Sequence, residues 1–181
     1  RGASIPNQQA AYPDWTLNAG QNRELRPYGD HVRGRGITAV DTQDRLRRAW
    51  EKNGGFTVEL WTRCSHPEQV PDERGRAILA LDASTGSFTV QTRHAFARKK
   101  LSHTVCVFDQ SPSGPRMRLY SSGLPVQEIA AAGFPSLSKS RPGSTVLRIF
   151  PARLNRGGLP VPASAELHLA AIYDRPLRRK E

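Results

Sequence analysis

Few residues in this chain could do chemistry, and two carboxylates are among them. Glycoside hydrolysis needs two carboxyl groups flanking one bond, a general acid and a nucleophile or base. Within segments of strand character, Glu59 and Glu166 each stand alone, without a carboxylate two or four residues away. The sequence contains no G-x-S-x-G, H-E-x-x-H or phosphate-loop motif, and nothing ties any of its five histidines to a nucleophile. We therefore predict that the chain is not an enzyme, and we interpret Glu59 as an outward residue paired with a neighbouring arginine.

Metal and disulfide chemistry rests on two aspartates and two cysteines. Calcium requires roughly six to eight oxygen ligands with some negative charge among them. Asp82 and Asp109 are weak candidates because no second carboxylate stands beside either, so no cofactor is predicted. Cys64 and Cys106 lack the partners of a zinc site. They are either buried thiols or one disulfide, and the sequence leaves both alternatives open.

Basic side chains are the largest surplus. The chain has 27 Lys and Arg against 16 Asp and Glu, a formal net charge of +11. Such a field attracts acidic proteins, anionic headgroups, acidic glycans or nucleic acid, although a charge run is often only a solvated face. Nucleic acid is not expected, because aromatic residues are only 7% of the chain. The candidate binding residues form two clusters: Arg93, Arg98, Lys99 and Lys100, and then Arg175, Arg178, Arg179 and Lys180.

The elements that must position these residues are mostly strands. Residues 41–52 predict a short helix, because Asp41 or Thr42 can cap it, Leu46 and Trp50 lie one turn apart, and Gly54 follows. Beyond it, short apolar or alternating segments are separated by Gly, Pro and Ser, which is typical of an antiparallel sandwich or jelly roll. The predicted strands are 56–63, 77–81, 87–92, 104–109, 117–120, 145–150 and 167–173.

The N-terminal part has a different composition. Residues 1–36 are rich in Pro and Gly and poor in apolar residues, so an irregular arm or linker is predicted there, followed by one domain at 37–181. No stretch is long and apolar enough to span a bilayer. The chain begins at Arg1 without a signal-peptide pattern, which indicates a mature product or part of something longer.

Four segments resemble motifs of laminin-G-like jelly-roll domains. Residues 55–61 (GFTVELW) are similar to an "FTVExW" strand, and residues 101–109 (LSHTVCVFD) to a "WHHVAVTYD" strand. Residues 117–123 (MRLYSSG) resemble the "LRLYVDG" hairpin, and residues 165–177 (AELHLAAIYDRPL) the closing "GEIDEVAIYDRAL" strand. Order and spacing agree over about two thirds of the chain. Leu101 replaces the usual Trp and Ser122 the usual Asp.

The resemblance implies an all-β, two-sheet antiparallel jelly-roll β-sandwich of the concanavalin-A-like kind. Similar lectin-like domains are attached to bacterial membrane proteins, including VanZ-like fusions, and face away from the cytoplasm. We therefore expect an extracytoplasmic, periplasmic-side location, anchored or peripheral to the membrane, with any anchor outside this chain. The predicted function is that of a non-catalytic docking subunit that binds an acidic protein surface or a membrane protein complex through its basic clusters. The alternatives are a carbohydrate-binding, lectin-like module and a glycoside hydrolase.

Overall fold

Two antiparallel sheets and one helix make up the structure. The computed structural model describes residues 4–5, 17–18, 26–28, 31–34, 37–40, 44–64, 76–92, 100–130, 133–149 and 165–178. The strands are β1 (Ser4–Ile5), β2 (Leu17–Asn18), β3 (Arg26–Tyr28), β4 (His31–Gly34), β5 (Ile37–Val40), β6 (Gly55–Cys64), β7 (Arg76–Ala83), β8 (Gly86–Thr92), β9 (Ser102–Ser111), β10 (Gly114–Ser121), β11 (Leu124–Ala130), β12 (Val146–Ile149) and β13 (Ala165–Tyr173). Helix α1 (Arg45–Asn53) precedes β6, and a 3₁₀ turn (Leu137–Lys139) precedes β12.

The strands are divided between a six-stranded and a seven-stranded sheet. The first has the order β1-β2-β5-β12-β7-β8, and the second has the order β11-β10-β9-β6-β13-β4-β3. Along the described strands the chain changes sheet seven times, between β2 and β3, β4 and β5, β5 and β6, β6 and β7, β8 and β9, β11 and β12, and β12 and β13. Such crossings between two packed antiparallel sheets are typical of a jelly roll. The predicted all-β, two-sheet sandwich with one short helix is confirmed.

Alternation along the strands builds the core between the two sheets. On β6, Phe56, Val58 and Leu60 are buried in the core cluster, whereas the residues between them belong to the opposite, outer face. Phe56 stacks on Phe108 of β9, with ring centroids 4.8 Å apart. Because β6 is paired on both sides and its inner face is filled by aromatic rings, its outer face is carried on a rigid support.

Helix α1 closes one end of the sandwich. It buries Leu46 and Trp50, and Trp50 stacks on Phe134 with ring centroids 4.7 Å apart. It begins after Asp44, whose Oδ1 accepts the Gly143 N–H at 2.8 Å, and it ends at Gly54 as predicted. The predicted caps, Asp41 and Thr42, lie outside the described residues. No helix in the described part of the chain is long and apolar enough to cross a membrane.

The N-terminal 36 residues contribute four short strands, β1–β4. Strand β4 pairs with β13, placing Arg33 opposite Glu166, and β2 pairs with β5. Strands of two to four residues carry too little alternation to be recognised, so the sequence predicted only an irregular arm there. The domain boundary at residue 36 stays a prediction.

Candidate functional site

A carboxylate surrounded by aromatic side chains lies on the outer face of the seven-stranded sheet. Strand register brings it together: Trp61 of β6 stands opposite His103 of β9 and Leu169 of β13. Glu59, two residues earlier, shares the face of Trp61 because strand side chains alternate. Ala171 of β13 stands opposite Glu59, and the side chain of Tyr173, two residues further along β13, reaches Glu59 diagonally. Three neighbouring strands therefore supply one cluster.

Three donors converge on Glu59. The Tyr173 hydroxyl donates to Oε2 at 2.5 Å, and the Trp61 Nε1–H donates to Oε1 at 3.2 Å. His103 Nε2 lies 2.8 Å from Oε1 and is the donor when the carboxylate is ionised. Burial alone would raise the pKa of Glu59, but the hydrogen bonds from Tyr173, Trp61 and His103 outweigh it and lower that pKa. Glu59 is therefore a fixed negative charge at neutral pH.

The same contacts hold the aromatic rings in place. Trp61 and His103 are stacked, with ring centroids 4.5 Å apart and ring planes inclined by 22°. Both rings are half-buried, and the neighbouring Leu169 side chain is 46% exposed. The arrangement presents apolar surface to solvent directly beside a carboxylate. The sequence interpretation of Glu59 as a partner of arginine is wrong, because its hydrogen-bond partners in the described part of the chain are His103, Trp61 and Tyr173.

The C-terminal segment limits the open part of this face. Thr57, on the outer side of β6, donates its hydroxyl to the Arg175 carbonyl at 3.0 Å and accepts the Leu177 N–H at 2.9 Å. Asn53 Nδ2 donates to the Asp174 carbonyl at 2.6 Å. The chain after β13 is thus bound across the sheet next to Tyr173, and Thr57 is fully buried. The exposed cluster begins beyond this segment.

A second polar network joins β9 to the neighbouring strands β10 and β11. Asp109 accepts hydrogen bonds from Arg118 and from Arg116 Nε, the latter at 3.0 Å. Arg116 also reaches Glu128 of β11 at 3.1 Å. Next to this network, a shallow groove of about 220 Å³ is lined by Arg118, Leu119, Tyr120, Pro125, Val126, Gln127 and Glu128. Tyr120 stands opposite Val105, which stands opposite Glu59, so the groove adjoins the cluster.

The weak calcium candidates are occupied by arginines. Asp82 forms an ion pair with Arg148 at 3.0 Å, and Asp109 is held by Arg116 and Arg118. A carboxylate neutralised in this way is a poor ligand for a hard cation. The described residues contain no group of three or more His, Cys, Asp or Glu side chains arranged to hold a metal ion.

The strand register keeps Cys64 and Cys106 too far apart for a disulfide. Cys106 is a free, fully buried cysteine, and burial raises its pKa to about 12. Its backbone pairs with Val58, six residues before Cys64 on β6. Six residues of strand span about 20 Å, whereas a disulfide needs Cα atoms within about 7 Å.

The described members of the two basic clusters lie far apart. Lys100 is exposed just before β9, and Arg175 and Arg178 are exposed after β13. Arg175 is bound next to Thr57, and Thr57 pairs with Val107. Val107 is seven residues from Lys100, so the two clusters are about 23 Å apart along the strand. Arg93, Arg98, Lys99, Arg179 and Lys180 lie outside the described residues, so their predicted role in binding stays a prediction.

Glu59 and Glu166 are not spaced like the two catalytic carboxyl groups of a glycoside hydrolase. Glu166 pairs in register with Arg63, four residues beyond Glu59, which is about 13 Å along the strand. Its carboxylate lies 3.8 Å from Arg63 and 3.6 Å from His168. Catalytic carboxyl groups lie about 5 Å apart in retaining enzymes and about 6.5–9.5 Å apart in inverting ones. Glu59 and Glu166 belong to separate networks.

Comparisons with known proteins identify the fold. No family model matches the chain, and no curated protein matches it. Among solved structures, a mutant of Trypanosoma rangeli sialidase displaying trans-sialidase activity aligns with a TM-score of 0.59 at 16% identity, covering 100% of this chain and 30% of the sialidase. The binding domain of botulinum neurotoxin serotype D/C aligns with a TM-score of 0.57 at 14% identity, covering 98% of this chain and 49% of the other.

These alignments have two consequences. The chain shares a β-sandwich fold with regions of both proteins. It spans about half the length of the neurotoxin chain and under a third of the sialidase chain. The narrower assignment to laminin-G-like domains and to VanZ-like fusions stays a prediction.

Proposed function

We propose that this chain is a non-catalytic carbohydrate-binding module that holds a glycan over Trp61 and His103 on the outer face of the seven-stranded sheet. The observation that carries the proposal is the partly exposed stacked pair beside the fixed carboxylate of Glu59. A sugar ring offers an apolar C–H face and a rim of hydroxyl groups. Aromatic rings complement the face, and a carboxylate accepts hydrogen bonds from the rim.

Preorganisation supports the proposal. Three hydrogen bonds hold Glu59, and the stacked rings fix one another, so little side-chain freedom is lost when a ligand is bound. Paired strands under the cluster add rigidity. A glycan bound there would also lie next to the groove at Tyr120, which leaves room for a second sugar unit.

The charge of the chain and its fold suggest which glycans to try first. A formal net charge of +11 raises the local concentration of acidic glycans over neutral ones. One of the structurally similar chains is a sialidase, and another is the binding domain of a neurotoxin. Because one fold supports many functions, this similarity only adds weight to the surface chemistry. The separation of Glu59 from Glu166 supports a binding role over hydrolysis.

A glycan array tests the proposal. Wild-type protein is compared with Trp61→Ala, and with Gln91→Ala as a matched control on the exposed face of the other sheet. We expect binding to a defined subset of glycans that place a neutral sugar unit over Trp61 and any acidic group away from Glu59, reduced at least about tenfold in Trp61→Ala and unchanged in Gln91→Ala. Equal binding by folded Trp61→Ala would contradict the proposed site. No glycan binding, together with salt-sensitive capture of an acidic protein, would favour the docking subunit predicted from the basic clusters.

A further inference from the structure

A β-bulge in the edge strand β11 shapes the groove beside Tyr120. Arg118 pairs with Glu128 and Tyr120 pairs with Pro125, so the register leaves one extra residue on β11 between these two pairs. An extra residue bends its strand and increases the local twist, and such bulges are common at sheet edges and next to active sites. The bend in β11 therefore gives this edge of the sheet a concave surface, which is the groove of about 220 Å³.

The groove opens on the same face of the sheet as the proposed glycan site. Tyr120 pairs with Val105, and Val105 pairs with Glu59, so the three side chains form one row across β10, β9 and β6. Register partners on neighbouring strands point to the same face. Val105 is apolar and partly buried, so no charged side chain stands between Glu59 and the groove along this row. The row connects the cluster around Trp61 with Tyr120.

The neighbouring row of the sheet is closed. Val107 of β9 pairs with Thr57 of β6, and both residues are buried. The chain after β13 is hydrogen-bonded to Thr57 and lies across this part of the face. A ligand that extends from the Trp61 cluster towards β10 is therefore directed along the open row, over Val105.

The dimensions of the face determine the length of the ligand. Trp61 and Tyr120 are two strands and two residues apart, which places their backbones about 12 Å from each other. One sugar ring is too small to contact both aromatic side chains. The groove is also smaller than the clefts of about 300–1,000 Å³ that enclose a whole small ligand, so it suits one unit of a longer chain.

The charges beside the groove are balanced. Two arginines and two carboxylates form one network of ion pairs there: Arg116, Arg118, Asp109 and Glu128. The ring of Tyr120 adds apolar surface to the lining. A neutral sugar unit has an apolar C–H face and a rim of hydroxyl groups, so it fits this lining better than an anion does.

We propose that the bound glycan is a linear oligosaccharide that crosses β6, β9 and β10, with one neutral sugar unit on Trp61 and another on Tyr120 in the groove. The inference rests on the proposed function and adds the class of glycan that the site selects. Tyr120 then distinguishes a chain of several units from a single terminal sugar, because only the longer ligand reaches it.

A chain-length series tests this inference. The probes are oligosaccharides of one to six sugar units from chitin, cellulose and hyaluronan, together with fragments of the strongest binder on the array. Titration calorimetry gives their dissociation constants for wild type, Tyr120→Ala, Tyr120→Phe and Leu124→Ala. Leu124 is a control on β11 that is exposed and does not line the groove.

In wild type we expect the dissociation constant to fall about tenfold or more between two sugar units and four. Tyr120→Ala should lose this gain while keeping its affinity for two units. Tyr120→Phe retains the aromatic ring and should keep the gain, as should Leu124→Ala.

Two outcomes would overturn the inference while leaving the glycan site in place. One is wild-type protein that binds fragments of two and four units equally tightly, with that binding lost in Trp61→Ala. The other is a gain with length that persists in folded Tyr120→Ala, because the additional units would then lie elsewhere. Wild-type protein that binds no glycan of any length would instead contradict the proposed function, and this inference with it.

Discussion

Tyr173 reaches diagonally from β13 to β6 and donates its hydroxyl to Glu59 Oε2 at 2.5 Å. This hydrogen bond, burial and the charge of Glu59 together raise the pKa of Tyr173 to about 12. It also joins the C-terminal end of the fold to the exposed cluster, because the chain after Tyr173 continues across Thr57. One hydrogen bond thus connects the electrostatics of the site with the anchoring of the last strand.

The alkaline titration of the tyrosines should depend on Glu59. The folded-state pKa of Tyr173 is raised above its ordinary value of 10.0, so its contribution to stability is complete below about pH 10 and is lost as the pH rises through about 12. In Glu59→Gln, the pKa of Tyr173 should move back towards 10. Tyrosinate absorbance across this range measures the shift, and Tyr173→Phe identifies the signal. Identical titrations of wild type and Glu59→Gln would contradict the hydrogen bond.

At acid pH the dependence of stability on pH has the opposite sign, and Glu59 is the group that titrates. The pKa of Glu59 is lowered in the folded state, so its stabilising effect is present above the unfolded-state pKa and is lost as the pH falls through the folded value. Tyr173→Phe should therefore reduce the free energy of unfolding by about 1 kcal/mol at neutral pH, since the pair is partly exposed. The reduction should shrink near about pH 3. Urea denaturation at both pH values is the measurement, and a loss that does not change with pH would contradict the account.

Gly55 should be far more sensitive to substitution than another glycine of the same sheet. An added Cβ at Gly55 would lie 2.0 Å from the Phe108 carbonyl oxygen, and the residue has φ +156°. Gly123, in the β10–β11 turn, has φ +79° and open space around it. We expect Gly55→Ala to cost about 4 kcal/mol or more and Gly123→Ala about 1 kcal/mol in urea unfolding. Similar costs for the two would show that β6 and β9 are less closely paired.

Cys106 should be unreactive towards thiol reagents in the folded protein. Burial raises its pKa to about 12, and thiolate is the reactive form. In a Cys64→Ser variant, Cys106 should resist a thiol reagent until denaturant unfolds the chain. Wild-type protein purified without reductant should keep both thiol hydrogens in its intact mass. Rapid labelling of Cys106 in the folded Cys64→Ser variant would contradict the arrangement of β6 and β9. A wild-type mass that lacks the two thiol hydrogens would contradict it as well.

Much of the fold was predictable because its core strands show alternation. On β6 the apolar residues Phe56, Val58 and Leu60 alternate with the polar residues Thr57 and Glu59, which is the pattern of a half-buried strand. The apolar run at 77–81 was predicted as a strand, and it lies on β7, where Ile78, Leu79, Ala80 and Leu81 are buried and Ala77 is partly buried. Strand β11 was missed, because it is an edge strand with most of its side chains exposed or half-buried and has little apolar pattern.

The candidate site was harder to predict because it depends on register between distant segments. Glu59 and Tyr173 are 114 residues apart in sequence, and Glu59 and His103 are 44 apart. Nothing local marks them as partners, so the charge surplus nearby made arginine the natural partner for Glu59. The signal that could have found the site is the outward position of Trp61, since an aromatic residue on the polar side of an alternating strand indicates a function for that face.

The most direct test of the account is a nuclear magnetic resonance titration of the Trp61 indole N–H with the strongest glycan found on the array. The signal is assigned by its loss in Trp61→Phe, and the buried Trp50 indole serves as an internal control. We predict that the Trp61 and His103 signals shift in a saturable manner while that of Trp50 stays in place. Saturable glycan binding that leaves Trp61 and His103 unshifted would contradict the proposed site.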